Sequence, residues 1–344
     1  MREQEVTLRL LSGFDDPSFD CETWNRLLDD GDTNVVFLTH EWQHAWWGSF
    51  GRGRLMVILA ERAGRPLALA PLFADSGMIY FVGSGGSDYL DFIGDVSHES
   101  TLDLLLTTAI GLVPEFLGFV FYHIPADSRT GNLLQQAGKR LGLRSFDEGE
   151  IEAPTMVLGD KGETALAAAS KKSLVRKEKS LRKDGRLDIE HIRDEKAVEP
   201  WLEVFFRQHI ERWNDTDYPS LFLDRWQQAF YYRLAEALGK SGWLRFTVLS
   251  WNDEPIAFHF GMSYAGRYLW YKPAFAIDLG RRSPGQVLLR QLLLAAVEEG
   301  VSEFDFGLGD EPFKKRFATE VKYVRSWGLY PPERSASRSP VESQ

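Results

Sequence analysis

Two runs of apolar residues dominate the chain, and both follow one plan. In the first half, "LMVILA" (Leu55–Ala60), a turn at "ERAGR", "PLALAPLF" (Pro66–Phe73) and "GMIYFVG" (Gly77–Gly83) read as the three strands of a meander. In the second half, "LRFTVLSW" (Leu244–Trp251), a turn at "NDE", "PIAFHFGMSY" (Pro255–Tyr264) and "RYLWYKPAFAI" (Arg267–Ile277) read as three more. Leu55 and Leu244, Pro66 and Pro255, and Ala68 and Ala257 each stand 189 positions apart. Each meander leads to an apolar helix and a further strand: "TLDLLLTTAIGLVPEF" then "GFVFYHIP", and "PGQVLLRQLLLAAVEE" then "EFDFGLG". A unit that occurs twice in this order predicts a duplicated α/β domain rather than a barrel or a bundle. The boundary is expected near Ile151–Gly162, where "IEAPTMVLGDKG" reads as a strand crossing between lobes.

The second apolar helix is preceded by Gly280, Arg281, Arg282, Ser283, Pro284 and Gly285. Ser283 at the cap, Pro284 at the first helical position and Gln286 three residues after the serine fit a capping box. Gly300 is a good C-terminal stop. Unpaired amides and the helix dipole make such an entrance a natural anion seat. Gly285 would admit a ligand close to the backbone, and Arg281 and Arg282 can add charge. Spacing alone leaves two readings open, a pyrophosphate seat and an ordinary capped helix beside solvated arginines. Neither the P-loop ending Gly-Lys-Ser/Thr nor a G-x-G-x-x-G fingerprint occurs here.

From Lys171 to Arg186 there are eight Lys/Arg residues against Glu178 and Asp184, and Lys172, Arg176, Lys179 and Lys183 recur at helical spacing. A net charge of −10 makes the surface as a whole repel polyanions. The basic run is therefore either a solvated helix face or a docking surface for a phosphate-bearing ligand. Length (344 residues), 44% hydrophobic and 26% charged residues describe a soluble globular chain with more than one lobe. The single cysteine, Cys21, excludes an intramolecular disulfide and a cysteine zinc site. With no signal-like start and no membrane-length apolar run, a cytoplasmic location without a membrane span is expected. Residues 331–344, Pro/Ser-rich and without periodicity, are expected to form a disordered tail.

Candidate chemistry concentrates in "FDFGLGDEPFKKRF". Asp305 alternates with Phe304 and Phe306 and should leave the apolar face, while Glu311 and Lys314 stand one helical turn apart. Asp305 or Glu311 could serve as a base, Lys314 could stabilise anionic charge, and Tyr271 and His259 on the second meander could move protons. The alternative for each is a packed structural residue. His40-Glu41-Trp42-Gln43-His44 matches H-E-x-x-H, the zinc-hydrolase pattern, but on a short helix without a third-ligand motif, so no metal is expected. "WNDTDYP" (Trp213–Pro219) could line an acceptor site or be an exposed connection.

A meander, then Arg-x-x-Gly opening a helix, then a strand resembles the acyl-CoA-binding half of the GNAT acetyltransferases. In that superfamily a [Gln/Arg]-x-x-Gly-x-[Gly/Ala] loop holds the CoA pyrophosphate; Arg282-Ser-Pro-Gly285-Gln-Val287 matches two anchors and departs at Val287. "LAAASKKSLVRKEKSLRKDGRLDIE", "SPGQVLL", "FDFGLGDEPFKKRF", "THEWQHAWWGSFG" and "GSDYLDFI" resemble the CelD type, associated with cellulose and exopolysaccharide biosynthesis, and its relatives the Fem aminoacyltransferases. The resemblance implies an α/β fold of two tandem GNAT-like lobes, each a mixed, mostly antiparallel sheet flanked by helices. The lobes would be 1–155, without a donor site, and 156–330, the acyltransferase. It implies transfer of an acetyl or other acyl group from acyl-CoA to an amine or hydroxyl of a sugar or cell-envelope precursor. Arg281, Arg282, Ser283, Gly285 and Gln286 would hold the donor. A Fem-like enzyme using charged tRNA, and a non-catalytic subunit of a polysaccharide synthesis complex, are the alternatives; nucleic acid enters only through the first of them.

Overall fold

The structure is a computed structural model that describes residues 5–97, 99–214 and 217–332. The chain forms two compact units, residues 1–151 with 323–344, and residues 152–322. The first unit contains β1 (Val6–Leu11), α1 (Cys21–Asp29), α2 (His40–Phe50), β2 (Arg54–Arg62), β3 (Arg65–Asp75), β4 (Met78–Phe81), β5 (Ile93–Gly94), α3 (Glu99–Gly111), β6 (Gly118–Pro125) and α4 (Thr130–Arg140). Strand β7 (Arg144–Val157) carries the chain into the second unit. There follow α5 (Glu163–Ala169), α6 (Lys172–Asp184), β8 (Leu187–Ile192), α7 (Glu195–Trp213), α8 (Arg225–Lys240), β9 (Leu244–Trp251), β10 (Glu254–Tyr264), β11 (Arg267–Phe275), α9 (Pro284–Glu298), β12 (Glu303–Asp305), α10 (Pro312–Phe317) and β13 (Glu320–Tyr330).

The duplication extends beyond the meanders. Strand, two helices, three-strand meander, helix, strand, helix, strand is the order from β1 to β7 and again from β8 to β13, with the two-residue β5 added in the first and a short helical turn at Gly280–Arg282 in the second. The hairpin turns match position for position. Ala63-Gly64 and Ser76-Gly77 in one meander, Asn252-Asp253 and Ala265-Gly266 in the other, all have positive φ. Two-residue turns of that kind suit the right-handed twist of the strands they join.

In the first unit the strand order is β1-β2-β3-β4-β6-β13, and in the second β8-β9-β10-β11-β12-β7. Both sheets are antiparallel except where β4 meets β6 and β11 meets β12. The place beside β6 is thus filled by β13, from the far end of the chain, and the place beside β12 by β7. Sequence reading puts residues up to 330 in the second lobe; β13 instead pairs with β6 and buries Val324, Trp327 and Leu329 in the first unit. Of the tail expected at 331–344, residues from 333 onward lie outside the described residues.

The second sheet has a core on each face. Helices α5, α6 and α9 cover one, burying Leu174, Leu181, Leu288, Leu292, Tyr268 and Phe304. Helices α7 and α8 cover the other, where Phe205, Phe222, Tyr231, Phe246 and Phe260 pack ring against ring. Each such buried side chain contributes on the order of 1.5–3 kcal/mol, so the strands between the helices are held rigidly where the candidate chemistry sits.

Candidate functional site

The second sheet splits. β11 pairs with β12 only through Arg267–Glu303, Tyr268–Phe304 and Leu269–Asp305, yet β11 continues to Phe275 beside β10 alone. After Asp305 the chain follows β7, the Phe306 amide donating to Pro154 O (3.1 Å) and the Gly309 amide to Glu152 O (2.8 Å). One edge of β11 beyond Leu269 is therefore left without a strand neighbour among the described residues.

Where the split opens, β11 bulges. Between the Lys272–Phe260 and Leu269–Met262 pairs, Trp270 and Tyr271 oppose the single residue Gly261. The Tyr271 amide donates to Nε2 of His259 (3.2 Å), a wholly buried imidazole. Burial pushes His259 down to about 3, so the ring is neutral and able to accept. A Cβ on Gly261 would lie 2.0 Å from Cε1 of His259, so only glycine fits opposite the bulge. His259, a candidate for proton transfer by sequence, here replaces a ladder carbonyl.

At the entrance to α9, Pro284 occupies the first helical position, but the expected capping box does not form. Ser283 adopts a left-handed conformation (φ 56°) and makes no side-chain cap; its Oγ accepts from Nζ of Lys177 (2.5 Å) on α6. The Gln286 amide donates to Ser283 O (3.0 Å), and its side chain is exposed. The Gly285 amide has no partner among the described residues. A Cβ on Gly285 would meet the Phe275 ring at 2.9 Å, so this glycine is explained by close packing of helix on strand as well as by any ligand. Arg282 is engaged, its Nη1 2.7 Å from Asp184 and its guanidinium 4.6 Å over Trp251. Arg281 is exposed and has no ion pair among the described residues. Val287, where the resemblance expects Gly or Ala, is fully buried in the α9 core.

The four catalytic candidates are distributed around the split. Asp305 is 4% exposed and accepts the Gly307 amide (2.8 Å). Glu311 and Lys314 meet at 2.8 Å, and Nζ of Lys314, 5% exposed, also donates to Leu308 O (2.5 Å). The buried ammonium is thereby neutralised by a carboxylate that is itself half exposed. Tyr271 lies on the opposite face from α9, stacked on Tyr231 (6.3 Å) with Nζ of Lys272 4.3 Å over its ring. Glu311 and Lys314 are thus brought together, while Asp305 and Tyr271 stand on the two diverging strands.

Sequence reading missed Arg212. Its guanidinium lies 4.1 Å over Phe275 and 4.9 Å over Trp213, and Nη1 donates to Pro273 O (2.8 Å) on β11. Burial pulls it down to about 10, with Glu311 acting the other way, so it stays charged at neutral pH. Nearby, Nδ1 of His209 is 2.8 Å from Ser220 Oγ, and burial, then Lys272, then Arg212 hold it at about 3. The signal available was an arginine one turn after the buried His209 and two turns after the buried Phe205. Of the "WNDTDYP" loop, Asp215 and Thr216 lie outside the described residues.

In the first unit the equivalent split is filled from within. Pairing of β4 with β6 stops at Tyr80–Val120, and there Phe81, Phe92 and Phe121 pack at 4.5–5.5 Å while the Leu90 amide donates to His123 O (3.1 Å). The H-E-x-x-H stretch forms α2, but Nε2 of His40 bonds Phe14 O (2.8 Å) and His44 faces Asp15 (3.6 Å). Among the described residues, no three His, Cys, Asp or Glu gather as a metal site. Nor is any described helix long and apolar enough to cross a membrane.

Residues 168–315 match the model of the acetyltransferase (GNAT) domain family. That segment holds the split, the bulge, the α9 entrance and the Glu311–Lys314 pair, and it supports an acyltransferase with its substrate undetermined. No curated protein is significantly similar in sequence. Among solved structures the chain is similar to FemX (TM-score 0.63, 13% identity, 89% of this chain and 96% of that one). It is also similar to L-PGS from Bacillus licheniformis (TM-score 0.56, 14% identity, 92% of this chain and 93% of that one). A third is a tandem GNAT protein from the clavulanic acid biosynthesis pathway (0.55, 10%, 94% and 98%). At these identities the likeness shows the fold, which is that of tandem GNAT-like lobes. The GNAT match agrees with the resemblance read from the sequence.

Proposed function

We propose that the chain is an N- or O-acyltransferase of the CelD type that moves an acetyl or other acyl group from acyl-CoA to an amine or hydroxyl of a sugar or cell-envelope precursor. The observation that carries this reading is the free edge of β11 beyond Leu269, which opens beside the α9 entrance inside the GNAT-matching segment. The residues present fit a phosphate-bearing thioester donor: the Gly285 amide is an unused donor, and Arg281 is an unpaired cation next to it. Arg282 and Ser283, engaged by Asp184 and Lys177, shape this entrance rather than reach the donor.

The acyl group is the chemistry the donor supplies; the protein positions the acceptor and moves its proton. Glu311, half exposed beside the split, is the base in this reading, and Lys314 holds its carboxylate in place. Asp305 fixes the backbone after β12 by accepting the Gly307 amide, and Tyr271 on β11 is the proton source for the leaving thiolate in this reading.

Thermal-shift measurement with acetyl-CoA, free CoA and charged tRNA tests the donor. Acetyl-CoA and CoA should raise Tm, and Arg281→Gln should weaken the effect about tenfold in affinity by removing one charge-assisted contact, with unchanged Tm in the absence of ligand. A shift with charged tRNA alone would instead favour the Fem-like reading, and no shift with any of the three a non-catalytic role.

A further inference from the structure

Helix α6 and the residue before it carry two populations of cations. Those facing the body of the unit are engaged: Nζ of Lys171 is 3.3 Å from Arg316 O and 4.4 Å over Phe317, Lys177 bonds Ser283, and Nε of Arg182 is 2.9 Å from Glu178. Lys172, Arg176, Lys179 and Lys183 point outward and have no ion-pair or hydrogen-bond partner among the described residues. The two acids of this helix are turned elsewhere. Glu178, only 9% exposed, is held by Arg182, Arg290 (2.5 Å) and Gln291 (2.8 Å), and Asp184 by Arg282.

The outward cations form a line. At 1.5 Å rise and 100° per residue they span about 17 Å within a sector of about 60°. Lys172–Arg176 and Lys179–Lys183 are like charges at i,i+4, an arrangement that destabilises a helix. Lys172 also sits in a first turn with no acidic residue, against the dipole. The chain has acids in excess, with a net charge of −10, yet none among the described residues pairs with this stripe. Departures from local rules without internal compensation concentrate at functional or strained sites.

The side chains beside the stripe narrow the choice of partner. Leu174 and Leu181 are buried and Val175 half-buried, so no apolar ridge is available to enter a lipid surface. No aromatic residue lies in α6, so bases of a single-stranded nucleic acid would find nothing to stack on. Three of the four cations are lysines, compact charges that adapt to anions of no fixed geometry. We propose that the outer face of α6 is a docking track for an extended anionic glycan, whose carboxylates or sulfates run along Lys172, Arg176, Lys179 and Lys183. This goes beyond acyl transfer and does not rest on it.

Fluorescence anisotropy with a labelled heparin oligosaccharide tests it on the full chain, comparing the parent with the quadruple variant K172Q/R176Q/K179Q/K183Q. The parent should bind with an affinity that falls steeply as salt rises, and each removed cation should cost about fivefold. The variant should melt at the same temperature as the parent or higher at low salt, because the repulsion is gone. Arginine at 172, 179 and 183 should preserve binding. Undiminished heparin binding by the quadruple variant, absence of binding by the parent, or a lower melting temperature of the variant overturns the proposal. So does tighter binding of a polyuridylate of equal charge, or of phosphatidylglycerol vesicles in place of heparin. Binding is read without donor or turnover, so a chain inactive with acyl-CoA that still takes heparin through the stripe fails one reading and keeps the other.

Discussion

His259 does the work of a backbone carbonyl: neutral and wholly buried, it accepts the Tyr271 amide that the β11 bulge takes out of the ladder. His209 is neutral for the same physical reason, burial, reinforced by Lys272 and Arg212. Both rings stay unprotonated in the folded chain down to about pH 3, whereas the unfolded chain takes up their protons near 6.5. Stability is therefore full above pH 6.5 and declines below it, by up to roughly 1.4 kcal/mol per pH unit for each ring. Urea titrations between pH 7 and 5 should show the decline, to which His191, also held down by burial, adds, and His259→Gln should make the slope shallower by the share of its own ring. A parent whose midpoint does not move over that interval would contradict the neutral-ring assignment.

At the scale of elements, α9 and β11 are locked by one close approach, the Gly285 backbone against the Phe275 ring. Gly285→Ala should cost about 1–3 kcal/mol by overpacking, and Phe275→Leu in the same chain should recover most of it; denaturation midpoints of the three proteins decide. If the alanine is neutral, the ring turns freely and the entrance is open without hindrance. The meanders were legible from the sequence because alternation and two-residue turns are local. The 189-residue spacing carried the duplication, since Leu55, Pro66 and Ala68 recur in register at Leu244, Pro255 and Ala257. The α9 entrance was only half legible. Ser283 and Gln286 have the spacing of a capping box, but the partner that turns Ser283 away, Lys177, stands 106 residues earlier. Arg212 was hidden likewise, because the Phe275 ring and the Pro273 carbonyl that fix it lie on a strand that local pattern cannot place beside α7.

At the scale of the molecule, β13 completes the sheet of the first unit and β7 that of the second. Deleting residues 320–344 removes Val324, Trp327 and Leu329, each nearly or wholly buried. At about 1.5–3 kcal/mol per buried side chain the loss approaches the whole stability of a domain. Limited proteolysis of the deletion should begin within residues 1–151 and spare the second unit; a cleavage pattern like the parent's would mean that β6 needs no neighbour. These pairings were illegible in the sequence because either strand suits either sheet edge by composition. They also dictate a timetable. A ribosome adding about 5–20 residues per second needs roughly 10–40 s to travel from β6 to β13, and throughout that interval the nascent first unit presents a raw sheet margin. Birth of this protein therefore calls for a holding chaperone, or for slow collapse, until the last strand emerges.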